Sequence, residues 1–144
     1  MNTYHHGDLK NALIQAGIEI LAEKGVKGLS LRGVAKKAGV SHTAPYAHFA
    51  DKQALVAAIS TEGYKKLYKQ LTSIDVKFGD DPLKKLVEVA WIYVQFAVND
   101  PDHFKITFSG VIEKEKDYPA FVEISQQSFA FIVQMVTECQ TAGI

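Results

Sequence analysis

The sequence predicts an all-α fold, and three observations lead to this prediction. Apolar residues recur at steps of three and four along most of the 144 residues, which is the period of amphipathic helices. The chain has only four prolines, and Gly25, Gly39 and the Asp- and Gly-containing residues 73–81 fall between the periodic segments. Hydrophobic residues make up 47% of the chain and charged residues 22%, a balance typical of a globular protein with an apolar core.

The chain begins with a long helix followed by a short one. Residues 8–24 carry one apolar face, and Gly25 ends this helix. Ser30 is of a type that favours the N-cap, and it precedes a second helix of about two turns. Gly39 stands where a left-handed residue commonly ends a helix.

A third short helix and a long fourth one follow. Ser41 is a second N-cap candidate, which would make Pro45 the fourth helical residue; with His42 as the cap, no backbone hydrogen bond is lost. Asp51 is a third N-cap candidate, for a helix from residue 52 to about residue 71. Short helices joined by tight turns have the outline of a helix-turn-helix.

The second half predicts three more helices and two connections. Residues 73–81 form a loop, and residues 82–99 form a helix that is apolar on nearly every side and therefore central and buried. Residues 101–108 form a short helix, residues 110–118 an exposed connection, and residues from 119 to about 142 a last long helix. The residues expected inside on that last helix are Phe121, Ile124, Phe129, Ile132, Val133, Met135 and Val136.

Charge is distributed unevenly although the chain is neutral overall. Residues 1–70 carry ten basic and five acidic side chains, a net charge of +5, and residues 71–144 carry six basic and eleven acidic ones, a net charge of −5. A basic front half indicates contact with a polyanion, or simply an uneven solvated surface. From spacing and charge alone, both DNA binding and a helical partner-binding module stay open.

Other classes of protein are disfavoured by what the sequence lacks. It has no paired carboxylates in an apolar setting, no glycine loop that cradles phosphate and no metal-ligand cluster, so we expect neither an enzyme nor a metal or cofactor site. No apolar run approaches the ~18 residues of a membrane span, and we expect a cytoplasmic protein with no membrane partner. The lone Cys139 is expected to be a buried apolar filler.

Residues 25–55, GVKGLSLRGVAKKAGVSHTAPYAHFADKQAL, resemble the DNA-binding domain of the TetR family of transcriptional regulators. The pieces SLRGVAKKAGVS, YAHF and DKQAL stand in the order and spacing of that family's signature. The opening YHHGDLKNAL and the later YVQFAVNDPDHFKITFSG further resemble the branch whose C-terminal part is called the WHG domain.

The resemblance implies a helix-turn-helix DNA-binding domain over residues 1–50, joined by a long helix to a helical ligand-binding regulatory domain over residues 51–144. It implies that residues 42–44 meet base edges and that Arg32 reaches a guanine or a phosphate. Tyr46, His48 and Lys52 would hold the DNA backbone. The full set of implied DNA-binding residues is Arg32, Ser41, His42, Thr43, Ala44, Tyr46, His48 and Lys52.

The resemblance also implies a ligand-responsive repressor that binds a palindromic double-stranded DNA operator as a homodimer through a helix at residues 42–48. The family usually continues with two further helices that pair across a two-fold axis, and we expect this chain to lack them. A small-molecule effector, apolar or aromatic, would bind in the second domain. The residues implied as its lining are Tyr64, Trp91, Gln95, Phe104, Phe108, Gln127, Ser128 and Met135.

Overall fold

The computed structural model describes residues 6–144, with the side chain of His6 excepted, and the described residues contain helices and no strand. Tyr4 and His5 of the opening motif lie outside the described residues. The α-helices are α1 His6–Lys24, α2 Leu31–Ala38, α3 Lys52–Thr72, α4 Ile74–Phe78, α5 Pro82–Asn99, α6 Pro101–Phe108 and α7 Pro119–Thr141. Short 3-10 helices lie at Val26–Gly28, Ala44–Ala47 and Glu115–Asp117.

Two of the predicted caps, Ser30 and Asp51, start helices. The Ser30 hydroxyl accepts a hydrogen bond from the Gly33 amide at 3.0 Å, and the Asp51 carboxylate accepts one from the Ala54 amide at 2.9 Å. Both bonds satisfy amides that the first turn of a helix leaves without a backbone partner. At the end of α1, Gly25 has a φ of 69°, a conformation that glycine adopts without a Cβ clash.

Two connections differ from the sequence prediction. Residues 73–81 are not one loop, because Ile74–Phe78 forms the short α4 and Ile74 is buried in the second apolar cluster. The connection between α6 and α7 is exposed from Glu113 to Asp117 as predicted, but Ile112 before them is buried. In both places one isoleucine anchors a segment that is otherwise polar.

Two apolar clusters form the core, and α3 contributes to both. The first joins α1, α2, Phe49 and the N-terminal half of α3, and it also contains residues that follow α5 in the chain, namely Ile106, Ile112 and Phe121. The second joins the C-terminal half of α3 with α4, α5 and α7. Packing is therefore continuous across residue 50, the expected domain boundary.

The prediction that residues 82–99 are buried on every side is wrong. One face of α5 packs inward through Val89, Ile92 and Phe96, but its opposite face is exposed to solvent. The exposed apolar residues on α5 are Leu83, Val87, Trp91, Val94 and Val98. The inward set on α7 is wrong in the same way for Phe129, Val133 and Val136, which are also exposed. We call these eight exposed residues the α5/α7 face.

Polar contacts close the end of the bundle where α4, α5 and α7 meet. The buried Lys85 ammonium lies 2.8 Å from the Asp75 carboxylate and 3.3 Å from that of Glu138. Cys139 is buried, and its thiol donates to the Pro82 carbonyl at 3.3 Å. Among the described residues, no helix has both the length and the apolarity needed to cross a membrane.

Candidate nucleic-acid interface

The turn after α2 is closed by a Schellman motif. Gly39 has a φ of 70°, its amide donates to the Lys36 carbonyl at 3.2 Å, and the Val40 amide donates to the Ala35 carbonyl at 3.0 Å. These two bonds satisfy carbonyls that the last turn of α2 would otherwise leave without partners. The turn is thereby fixed in direction, and it points the chain away from α2 within two residues.

The segment after this turn is shorter and tighter than predicted. Residues 42–43 form a turn, and only Ala44–Ala47 is helical, as a 3-10 helix. Neither Ser41 nor His42 is its N-cap; Thr43 holds that place and makes no capping bond through its side chain. Pro45 therefore lies in the first turn, where the amide that proline lacks would have had no partner within the helix.

Pro45 and Phe49 anchor this segment to the side of the fold where the first apolar cluster lies. Both are buried, and the Pro45 carbonyl accepts hydrogen bonds from the amides of His48 at 3.0 Å and Phe49 at 2.8 Å. Pro45 and Phe49 face inward, and the side chains of His42, Thr43 and Tyr46 near them are exposed. Tyr46 is 61% exposed.

The residues that the sequence implied as DNA-binding lie on this outward surface or beside it. Ala44 and His48 are half-buried and the remaining members are exposed; the exposed ones are Arg32, Ser41, His42, Thr43, Tyr46 and Lys52. The hydroxyl oxygens of Ser41 and Thr43 lie 3.2 Å apart, so each can orient the other. We call the six exposed residues, Arg32, Ser41, His42, Thr43, Tyr46 and Lys52, the polar surface.

Lys52 has a partner within the chain. Its ammonium donates to the Val26 carbonyl at 3.4 Å, at the connection between α1 and α2. A lysine at the start of α3 lies beside amides that favour an anion, and a single weak bond to a carbonyl leaves two of its three donor hydrogens for a phosphate oxygen. The geometry is compatible with a DNA-backbone contact.

The structure brings together only some of the residues implied for an effector. Tyr64, Phe104 and Phe108 form an aromatic cluster, with ring centroids 5.2 Å apart for Tyr64 and Phe108 and 4.7 Å apart for Phe104 and Phe108. Tyr93 joins them, and burial raises its pKa to about 12. Tyr64 and Phe108 line a cavity of about 140 Å³, smaller than the roughly 300 Å³ of most ligand sites.

The other five implied lining residues lie apart from this cluster. Trp91, Gln95 and Gln127 are exposed on the outer sides of α5 and α7. Ser128 and Met135 are fully buried, and the Ser128 hydroxyl donates to the Ile124 carbonyl of its own helix at 2.8 Å. In the part of the chain that the structure describes, no group of three or more metal-ligating side chains is present.

A buried polar contact between α3 and α6 was not found from the sequence. His103 Nε2 lies 2.9 Å from the Ile59 carbonyl, and the Ser60 hydroxyl donates to the Ile106 carbonyl at 3.2 Å. Burial lowers the pKa of His103, so the ring is neutral and donates through Nε2–H. A signal in the sequence that could have indicated this contact is the pair His103 and Thr107, two polar residues four positions apart on α6.

A compact pair of short helical segments with a fixed turn, an apolar inner side and a polar outer side defines a helix-turn-helix protein.

Comparisons with known proteins agree with this class. Residues 13–59 match the model of the bacterial regulatory proteins of the tetR family. The HTH-type transcriptional regulator YobS of Bacillus subtilis is 27% identical over 133 residues, which cover 92% of this chain and 65% of YobS. A protein of unknown function from Rhodococcus sp. RHA1 is 33% identical, with a TM-score of 0.78 over 99% of this chain and 73% of that one.

A second Rhodococcus RHA1 structure, a regulatory protein in the tetR family, has a TM-score of 0.75 at 22% identity and supports the fold alone. The present chain therefore spans 71% of the length of that structure and 65% of the length of YobS. Residues 13–59 thus belong to the tetR family of bacterial regulatory proteins, and the chain as a whole shares its fold with a regulator of that family.

Proposed function

We propose that this protein regulates transcription by binding a palindromic DNA operator as a homodimer and by responding to a small apolar or aromatic effector, with repression that the effector relieves. We place it in the WHG branch, in the cytoplasm with the DNA, and without catalytic activity. The polar surface is the observation that carries the proposal: its side chains stand outward because Pro45 and Phe49 are buried beneath them.

The chemistry of the polar surface supports a division of roles. Thr43 and His42 offer exposed hydrogen-bonding groups ahead of the 3-10 helix, as side chains that read base edges require. Ala44 offers a methyl group suited to a thymine methyl. Tyr46 and Lys52 carry donors that reach phosphate oxygens without reading sequence. Arg32 suits a guanine edge or a phosphate.

The two proposed domains, residues 1–50 and 51–144, would divide DNA binding from effector binding and assembly. The α5/α7 face supports a role of the second domain in assembly. Residues 89–99 and 124–137 contain no Asp, Glu, Lys or Arg, and interface cores are depleted of such residues. The five exposed apolar residues of α5 recur at steps of three and four and so share one side of the helix, and large exposed apolar patches mark interaction sites.

Binding to DNA is tested by fluorescence anisotropy with the protein's own promoter region and with a scrambled duplex. We expect log affinity to fall linearly with log salt, because phosphate contacts release counterions. Lys52→Ala should weaken both duplexes by a similar factor and reduce the salt slope by about 1. Thr43→Ala should weaken the promoter by about 1–3 kcal/mol and leave the scrambled duplex unchanged.

Lys84→Ala is the matched control, since it removes the same charge from an exposed site at the start of α5. An unchanged salt slope in Lys52→Ala, or no retention of any duplex at low salt, would contradict the proposed interface. Assembly is tested by sedimentation velocity of Trp91→Glu against Gln95→Glu, two exposed positions on α5. We expect self-association to be weakened by the first change only.

A further inference from the structure

A groove runs along α3 at the junction between the helix-turn-helix part and the rest of the fold. Its volume is about 490 Å³, within the range of roughly 300–1,000 Å³ that small-molecule sites occupy. One wall comes from α1, one end from residues 48–50, and the other wall from residues 117–121 at the start of α7. It adjoins the smaller cavity beside Tyr64 and Phe108 through Phe121, which lines both.

The inner surface of this groove is apolar. Ala54, Ala57 and Ala58 of α3 form its floor, and Ile14 and Phe49 line its sides together with other apolar side chains. Alanine side chains end at Cβ, so the space above them stays open between larger neighbours. A ligand in this groove would therefore bury apolar surface, which contributes about 25 cal/mol for each Å² removed from water.

Charges on the groove are balanced in sign. Lys10 and Lys65 line it together with Glu62 and Asp117, and the Lys65 ammonium is already 2.9 Å from the Glu62 carboxylate. An anion would gain from Lys10 and lose from Asp117, and a cation would do the reverse. Because an ion also loses hydration on entering an apolar groove, balanced charges favour an uncharged ligand.

Neutral hydrogen-bonding groups also line the groove, and His48 and Thr61 are further polar residues of its lining. The Asn11 amide carries both donors and an acceptor, and the Tyr118 hydroxyl can donate or accept. We propose that this groove binds a small, uncharged and mainly apolar molecule that carries a hydroxyl or carbonyl group. Such a ligand would contact α1, residues 48–50, α3 and the start of α7 at once, and would stabilise their present arrangement by mass action.

Binding is tested on the full chain without DNA, so that the outcome is independent of the proposed regulatory function. The probes are 1-octanol, octanoate and octylammonium, which share a chain and differ in charge. We follow backbone amide shifts by NMR and fit a dissociation constant for each probe. We expect shifts at Ala54, Ala58 and Ala120, and at least about tenfold tighter binding of 1-octanol than of either ion, equivalent to about 1.4 kcal/mol.

Ala58→Leu fills the groove and should weaken 1-octanol at least about tenfold. Ala22→Leu is the matched control, because it makes the same change at an exposed position of α1 outside the groove. Circular dichroism confirms that both variants fold. If Ala58→Leu does not fold, the shift map and the ranking of the three probes on the unmodified chain decide the outcome.

Four results would overturn the proposal. The first is an absence of shifts up to the solubility limit of 1-octanol. The second is a set of shifts confined to the α5/α7 face. The third is equal or tighter binding of octanoate or octylammonium. The fourth is an equal effect of Ala58→Leu and Ala22→Leu on the binding of 1-octanol.

Discussion

Helices α3 and α6 are in close contact at Gly63, and Gly63→Ala tests that contact. A Cβ atom at this position would overlap Thr107 Oγ1 and lie 2.9 Å from His103 Nε2 and 3.3 Å from Thr107 Cγ2. Real Cβ contacts are longer, so Thr107 or the whole of α6 has to move. The Thr107 hydroxyl is held by its bond to the His103 carbonyl at 2.7 Å, which leaves it little freedom.

Three contributions set the size of the effect. Overpacking a buried contact costs about 1–3 kcal/mol. Displacing His103 from the Ile59 carbonyl removes a buried hydrogen bond worth about 1 kcal/mol. In the opposite direction, alanine in place of a helical glycine stabilises the folded state by about 0.5–1 kcal/mol. We therefore expect Gly63→Ala to lower the free energy of unfolding by about 1–3 kcal/mol.

Urea unfolding followed by circular dichroism measures this loss. Thr107→Ala removes two of the three atoms that the new Cβ would meet, so the double variant should recover at least about 1 kcal/mol relative to the sum of the single changes. Gly7→Ala, in the first turns of α1 where nothing lies within 4 Å of the added atom, should be neutral or slightly stabilising. A Gly63→Ala protein as stable as the unmodified one, or additive free energies in the double variant, would refute the reasoning.

Two further predictions concern buried ionisable groups. Lys85→Met should lower the free energy of unfolding by about 1–2 kcal/mol, because it leaves the Asp75 and Glu138 carboxylates without their shared cation. Urea titrations measure this loss, and they should show a much smaller effect of the control Lys84→Met. Burial lowers the pKa of His103 below its ordinary 6.5, so the unfolded chain binds the proton more readily and stability is lost as pH falls from above 6.5 toward the lower folded pKa. Unfolding midpoints at pH 7.5 and 5.5 should differ less in His103→Gln, and an equal difference would contradict this assignment.

The helix boundaries could be predicted because the bonds that set them are local. Ser30, Asp51 and Asp81 each accept a hydrogen bond from an amide three residues later, and Pro82 and Pro119 occupy first turns that need no amide. Such signals lie within one turn of sequence. The 3-10 form of Ala44–Ala47 was missed because it depends on how Pro45 and Phe49 reach the core.

Burial on α5 and α7 could not be predicted, because hydrophobic periodicity fails when both sides of a helix are apolar. On α5, Ile92 is buried and Val98 is 72% exposed; on α7, Met135 is buried and Phe129 is 67% exposed. The rotation of each helix about its axis decides which side is inside, and that rotation is set by its neighbours. The scattering of the implied effector residues has the same cause.

The polar surface was easier to predict than the effector site for a physical reason. Its side chains lie within about twenty residues of one another in sequence, and one buried proline and one buried phenylalanine fix their direction. An effector site would instead draw on α3, α5, α6 and α7, whose relative placement depends on contacts across the whole fold. Local geometry therefore specifies the residues of the polar surface, whereas tertiary packing would specify those of an effector site.

Continuous packing also limits how the two parts of the protein can move. Ile106, Ile112 and Phe121 lie in the same apolar cluster as Leu13 of α1 and Val34 of α2. Close-packed interiors do not deform smoothly, so a displacement of α6 or of the start of α7 has to be taken up by α1 or by a change in packing. A displacement of α6 would therefore be transmitted to the helix-turn-helix through this cluster, and the close contact at Gly63 couples α3 to α6.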